Sequence, residues 1–166
     1  MFVHLCALFP VYLYALFPVT NNLQMVATYV HRTNDIDILE RAFPLMEAEL
    51  SWWETNRTID VTSPYSKKTF RMTRYAVNNT APRPESYRED YEVANGADLV
   101  TPYTEKQKED LYAELATGAE TGWDYSSRWE TNPFPPGGNL TNNTPGLRTL
   151  NIRSTIPVDL NAILCK

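Results

Sequence analysis

Residues 122–129 read GWDYSSRW and surround one carboxylate, Asp124, with two tryptophans, a tyrosine and an arginine. A carboxyl group among aromatic faces loses solvation, which favours its protonated form. A neutral carboxylic acid can give a proton to a leaving oxygen, and aromatic faces suit the apolar faces of sugar rings. The alternative is an aromatic helix start in which Asp124 is a solvated cap. A second stretch upstream favours the catalytic interpretation.

Residues 82–91 read PRPESYREDY and contain that second candidate site. Arg83 and Glu85 flank Pro84, which fixes the local backbone. Their side chains can therefore offer a planar donor fork and an acceptor to one polar ligand, such as a molecule with many hydroxyls in fixed geometry. The alternative is a surface salt-bridge cluster at a helix start, which is common and contributes little to stability.

The bulk composition is that of one ordinary globular domain. The 166 residues are enough for a core, and 43% hydrophobic with 21% charged residues is typical of globular proteins. A net charge of −5 argues against nucleic acid and anionic membranes as partners. The two cysteines, Cys6 and Cys165, lie near opposite ends, and the two histidines have no partner at ligand spacing. We therefore expect neither a disulfide framework nor a metal site.

The first half of the chain is predicted to be helical, with one short strand. Apolar spacing predicts helices over residues 23–32, 36–42 and 44–56, with Pro44 in the first turn of the third. Trp52 and Trp53 on that helix are interpreted as core or packing residues rather than as sugar platforms. Residues 69–73 alternate with a period of two and predict a short strand.

A further helix is predicted to deliver Asp124. Thr104 and Gln107 form a capping box at its start, and it is predicted to end near residues 118–122. Its expected buried stripe consists of Leu111, Leu115 and Ala119. A long Pro/Gly-rich loop follows over residues 132–146, as in many lids and binding loops.

Residues 1–22 form an apolar segment that is distinct from the rest of the chain. No Lys or Arg precedes Arg32, so the segment lacks the basic region of a signal peptide. Pro10 and Pro18 would interrupt a helix across it. A translated non-coding or alternative-start segment fits best, followed by an atypical signal peptide and then by a membrane span.

Four Asn-x-Ser/Thr triplets begin at Asn56, Asn78, Asn139 and Asn142. Each triplet alone is a weak signal, but four in one short chain indicate a secreted or lumenal glycoprotein. A membrane-anchored form of such a protein is left open by the sequence.

Three stretches together give the chain a family resemblance. Residues 83–87, 122–129 and 157–161 occur in the order of the trehalase runs RPESY, GWDFSSRW and PVDLN, with Tyr125 in place of Phe. The chain therefore resembles the trehalase family of glycoside hydrolases over residues 23–166. That resemblance implies a mainly α fold, in the form of a partial α/α barrel (toroid) with short strands and long loops. At ~11–12 residues per helix the chain can supply only part of such a ring, which would leave apolar faces exposed and the isolated chain poorly soluble.

The resemblance also implies an activity, the inverting hydrolysis of α,α-trehalose to two glucoses without metal or cofactor. Asp124 matches the proton donor of the family. Arg83, Pro84 and Glu85 match residues that hold sugar hydroxyls, and Gly122 matches a backbone contact close to the acid. No residue here matches the family's catalytic base, so the chain resembles a central fragment that lacks turnover by itself.

Two other functions are compatible with the sequence. One is a truncated, non-catalytic protein that binds sugar or partners, and a full-length product without a downstream carboxylate motif would favour it. The other is a different α/α-barrel glycosidase of the glucoamylase kind. Activity on maltose but not on trehalose would favour the second.

Overall fold

The computed structural model describes residues 21–99, 101–132, 135–137 and 144–164. They belong to two compact units, one containing residues 21–74 and 156–164, the other the described residues of 75–155. The described elements are α1 (Asn21–Thr33), α2 (Ile36–Asn56), β1 (Thr58–Thr62), β2 (Thr69–Thr73), α3 (Tyr87–Asn95), α4 (Glu105–Thr121), α5 (Thr144–Leu147) and α6 (Val158–Ile163). Helices prevail over a single two-stranded sheet, so the predicted mainly α class is confirmed. The partial α/α barrel and the division at residue 22 stay predictions.

In the first unit, α1 and α2 pack against each other. Asp35 caps α2, because its carboxylate accepts a hydrogen bond from the Ile38 N–H at 3.1 Å. The two helices predicted over 36–42 and 44–56 are in fact one, with Pro44 inside it. Pro44 is exposed, so the carbonyl that loses its partner there can be hydrated, and this lowers the cost of proline in the helix.

Strands β1 and β2 form an antiparallel hairpin in which Thr58 pairs with Thr73 and Thr62 with Thr69. The strand predicted over 69–73 is therefore confirmed. Asn161 on α6 extends the ladder, since its side chain accepts from the Thr73 N–H at 2.8 Å and donates to the Thr73 carbonyl at 2.7 Å. One asparagine side chain thus joins α6 to the free edge of β2.

The first unit exposes several large apolar side chains. They include Met25 and Tyr29 on α1 and Phe43 and Leu45 on α2, with Leu45 72% exposed. Trp53 is buried as predicted, but Trp52 is exposed beneath the Arg57 guanidinium, so a core role is wrong for Trp52. Exposed apolar faces are what an incomplete ring of helices would show, whereas poor solubility stays a prediction.

The apolar segment over residues 1–22 was interpreted from sequence alone. Its first twenty residues lie outside the described part of the chain. Among the helices that the structure does describe, none is both long and apolar enough to cross a membrane.

The second unit is organised around α4. The capping box is confirmed, with Thr104 accepting from the Gln107 N–H and the Gln107 side chain accepting from the Thr104 N–H. Leu111 and Leu115 are buried as predicted, but Ala119 is exposed. Other buried apolar residues of the unit are Tyr75, Val93, Ala94, Tyr112, Trp129, Leu150 and Ile152.

Polar side chains of α4 fix the extended segments around it. Thr117 accepts a hydrogen bond from the Val77 N–H at 3.0 Å, and Glu120 accepts from the Ala76 N–H at 3.1 Å. Glu114 accepts from the Ile152 N–H at 2.7 Å, and burial raises the pKa of its carboxyl. Because these backbone groups have partners without a sheet, the segments beside α4 can stay irregular.

Candidate functional site

The carboxyl end of α4 positions Asp124. Gly122 ends the helix in the left-handed conformation, with φ of 68°, which a residue without a Cβ adopts readily. Its N–H points back to the Ala119 carbonyl, and the Trp123 N–H bonds to the Thr121 hydroxyl at 2.9 Å. Asp124 therefore projects from a tight turn fixed at both backbone positions before it.

The end of the GWDYSSRW stretch braces that turn. Trp129 is 2% exposed, its indole N–H donates to the Trp123 carbonyl at 3.1 Å, and its ring meets Tyr75 edge to face. The Arg128 guanidinium lies 5.1 Å from the Trp123 ring and 4.9 Å from the Trp129 ring. These contacts give Arg128 a structural role, in which it braces the two tryptophans of the stretch.

The environment of Asp124 differs from the expectation. Its side chain is exposed, so the expectation that the neighbouring indole rings bury it is wrong. The Trp123 and Trp129 rings are engaged with Arg128 instead. Within the described residues Asp124 makes no hydrogen bond or ion pair, which leaves its carboxyl available to a ligand. Its role as proton donor stays a prediction.

Arg83 is held by a carboxylate that the sequence analysis did not single out. Its Nε and Nη2 donate to the two oxygens of Asp90 at 2.9 and 2.8 Å, and its backbone N–H donates to Asp90 at 3.0 Å. Asp90 is 2% exposed. The hydrogen bond to Asp90 is the main cause that raises the pKa of Arg83. A guanidinium has five N–H donors, so three of them remain for another acceptor.

Pro84 and Glu85 lie beside Arg83 in a short 3₁₀ turn, Pro84–Ser86, that leads into α3. Both residues are exposed. The Glu85 carboxylate has no hydrogen-bond or ion-pair partner in the part of the chain that the structure describes. The ion pair of Arg83 with Asp90 is largely buried, unlike the surface cluster of the alternative interpretation, whereas Glu85 remains available.

Tyr125 connects the two stretches. The Arg83 guanidinium lies over its ring at 5.4 Å, and its hydroxyl donates to the Leu115 carbonyl of α4 at 3.2 Å. Burial is the main cause that raises the pKa of Tyr125 to about 12, and the charges of Arg83, Asp90, Asp124 and Glu85 also act on it. The Tyr125 ring therefore joins the binding stretch, through Arg83, to the acid stretch in which it lies.

Sequence reasoning missed Asp90 and Tyr125 as parts of this site. Asp90 lies in the first turn of α3, whereas Arg83 precedes the 3₁₀ turn that leads into it, so helical spacing gave no signal for this pair. Tyr125 was noted only as a substitute for Phe. Its hydroxyl gains a backbone partner here, which makes the exchange compatible with burial.

The described residues contain no group of three or more His, Cys, Asp or Glu side chains that could hold a metal ion. The charged groups that act on Tyr125 are the guanidinium of Arg83 and three carboxylates, those of Asp90, Asp124 and Glu85. Such a set can bind hydroxyl groups and exchange a proton through Asp124.

Comparison with known proteins identifies the family. The model of the trehalase family matches residues 23–166. The chain is 39% identical to the trehalase of Dictyostelium discoideum over 143 residues, which are 85% of this chain and 22% of that protein. It is also 39% identical over 142 residues to the trehalases of Tenebrio molitor and Homo sapiens, with 86% of this chain covered in each case. It spans 23% and 22% of those two relatives. The chain belongs to the trehalase family.

Proposed function

We propose that this chain is the part of a longer trehalase that supplies the acid and one sugar-binding cluster for the hydrolysis of α,α-trehalose. The main support is the single site around Tyr125, where Asp124 and Glu85 are exposed and Arg83 is held in place. Family membership supports the substrate. The span of 22% of the relatives' length supports the view that further residues complete the site.

In this proposal Asp124 donates a proton to the oxygen that links the two glucose units. An inverting glycosidase needs a second carboxylate, roughly 6.5–9.5 Å away, that activates water on the opposite face of the sugar. We assign that base to a part of the enzyme outside this chain. In this proposal substrate and the remaining part of the enzyme cover Asp124 and exclude water from the reacting oxygen.

Arg83 and Glu85 hold the sugar in this proposal. The Arg83 N–H groups not used by Asp90 donate to ring hydroxyls, and Glu85 accepts from them. Pro84 keeps the two side chains at a fixed separation. The Gly122 N–H already points to the Ala119 carbonyl, so the backbone contact expected of Gly122 falls to its own carbonyl oxygen.

The second candidate function is a truncated protein that binds sugar or a partner without hydrolysing it. The observation that favours it is the placement of Arg83 and Glu85, since these two residues can hold hydroxyls without a catalytic base. The two functions differ in whether the full-length gene product turns trehalose over.

The direct test is hydrolysis of trehalose, maltose and starch by the full-length gene product. We expect glucose release from trehalose, with inversion at the attacked carbon, and none from starch. Cleavage of maltose but not of trehalose would contradict the proposal in favour of a glucoamylase-like enzyme. Binding of trehalose without turnover would favour the non-catalytic alternative.

We also propose that the protein is secreted or lumenal and carries N-linked glycans. Asn56 and Asn78 are both exposed, whereas Asn139 and Asn142 lie outside the described residues. The Asn56 side chain donates to the Trp52 carbonyl at the end of α2, and Asn78 lies in an irregular segment, with its oxygen bonded to Arg153. Both side chains can therefore carry a solvent-exposed glycan.

Expression in a secretory host tests this localisation. We expect peptide N-glycosidase to increase the mobility of the secreted protein, and Asn78→Gln to remove one glycan. Asn79→Gln is the matched control, because it leaves the triplet that begins at Asn78 intact. Secretion without any shift at Asn56 or Asn78 would contradict the proposed modification.

A further inference from the structure

We propose that Asp90 is a positioning residue of the candidate site and that it acts on substrate binding through Arg83. This inference rests on the proposed function, because it assigns Arg83 to sugar hydroxyls. Asp90 itself is buried behind the guanidinium and, at 2% exposure, has almost no surface to offer a ligand. Its effect on binding must therefore pass through the fork that it holds.

The geometry between Asp90 and Arg83 fixes more than the position of a charge. Asp90 accepts from Nε, from Nη2 and from the backbone N–H of Arg83, so both the side chain and its own backbone are tied to one carboxylate. Two parallel bonds define the plane of the guanidinium as well as its place. The remaining N–H groups then point in a direction set by Asp90.

The Tyr125 ring limits the remaining freedom of the fork. It lies under the guanidinium at 5.4 Å, and its own place is fixed by the hydroxyl bond to Leu115 and by close packing on α4. A Cβ added to Gly118 would lie 2.9 Å from the Tyr125 ring, so the ring is seated where α4 has no side chain. Asp90 on one edge and Tyr125 on one face therefore hold Arg83 before substrate arrives.

An Arg83 guanidinium that is held in place before substrate binds should bind the sugar more tightly than a mobile one. A free arginine side chain loses much rotamer freedom when it binds a ligand, whereas a fork held by Asp90 has already lost it. Removing Asp90 should therefore weaken the sugar contact even though Arg83 is still present. The loss should appear mainly in KM, since hydroxyls remote from the reacting oxygen are held in the ground state and in the transition state alike.

The experiment is a double-mutant cycle in the full-length gene product, read out as KM and kcat on trehalose. Asp90→Asn keeps the side-chain size but turns an N–H group towards the fork. We expect a KM increase of about 10-fold to 100-fold, the range that corresponds to a lost hydrogen bond to a charged group. In an Arg83→Lys background we expect Asp90→Asn to add less than about 3-fold, because the two residues then act as one unit.

Asp98→Asn is the matched control, because Asp98 also holds an arginine through two bonds, from Arg148 at 2.7 and 2.9 Å. That pair lies outside the candidate site, so we expect KM to stay at the wild-type value. Should Asp90→Asn fail to fold, Asp90→Glu keeps the buried guanidinium neutralised while displacing the fork. It should show the same rise in KM.

The outcomes distinguish a failure of the proposed trehalose hydrolysis from a failure of the positioning role of Asp90. An unmodified protein that does not hydrolyse trehalose would overturn the proposed function itself. If that protein is active, a wild-type KM in a folded Asp90 variant would overturn the positioning role. A KM increase of equal size with and without Arg83→Lys would also overturn it, since Asp90 would then act independently of the fork.

Discussion

Replacing Asp124 by asparagine in the full-length gene product is expected to lower kcat on trehalose by about 10²–10⁴-fold, the usual contribution of a positioned general acid. An amide keeps the size of the side chain but cannot give a proton to the leaving oxygen. The fold should be unaffected, because Asp124 is exposed and makes no hydrogen bond or ion pair with any residue that the structure describes. The measurement is initial glucose release at saturating trehalose, with circular dichroism as the test of folding.

Asp60→Asn provides the control for this loss. Asp60 is an exposed aspartate on β1 in the other compact unit, and its replacement should leave kcat unchanged. A correctly folded Asp124→Asn protein that keeps the turnover of the Asp60→Asn protein would exclude Asp124 as the acid.

The largest expected effect on stability comes from Trp129→Ala. Trp129 is 2% exposed, packs edge to face on Tyr75 and donates to the Trp123 carbonyl. Truncating a buried tryptophan costs about 3–5 kcal/mol, because contacts are lost and a cavity remains. The turn that carries Asp124 would also lose its support at Trp123. We therefore expect a lower midpoint of thermal unfolding and a lower yield of soluble protein.

Tyr65→Ala serves as the comparison, because Tyr65 is 94% exposed in the turn between β1 and β2. Surface substitutions of this kind usually change the free energy of unfolding by less than about 0.5 kcal/mol. Equal midpoints of thermal unfolding for the two variants, measured in the full-length gene product, would show that Trp129 does not support the fold.

Local signals predicted much of the second unit correctly. The capping box at Thr104 placed the start of α4, and the glycines at 118 and 122 placed its end within a few residues, because such signals depend on nearby backbone groups. Such features are set by the chain itself and need no knowledge of its partners.

Features that depend on distant residues were not predictable in the same way. The burial of Asp90 behind Arg83 depends on how α3 lies against Arg83, and the guanidinium that lies against both indole rings beside the exposed Asp124 is that of Arg128. Likewise, a proline in the interior of a helix usually kinks or ends it, yet the exposed position of Pro44 in α2 lets the helix continue. Tertiary context decided each of these three cases.

The most direct test of the central claim is a structure of the full-length gene product with a disaccharide mimic whose bridging atom resists cleavage. Our account predicts an Asp124 oxygen at about 2.6–3.2 Å from the bridging atom, as proton transfer requires. It also predicts Arg83, still bound to Asp90, on the hydroxyls of one sugar ring. A bound mimic whose bridging atom lies far from Asp124, with another carboxylate at hydrogen-bonding distance, would contradict it.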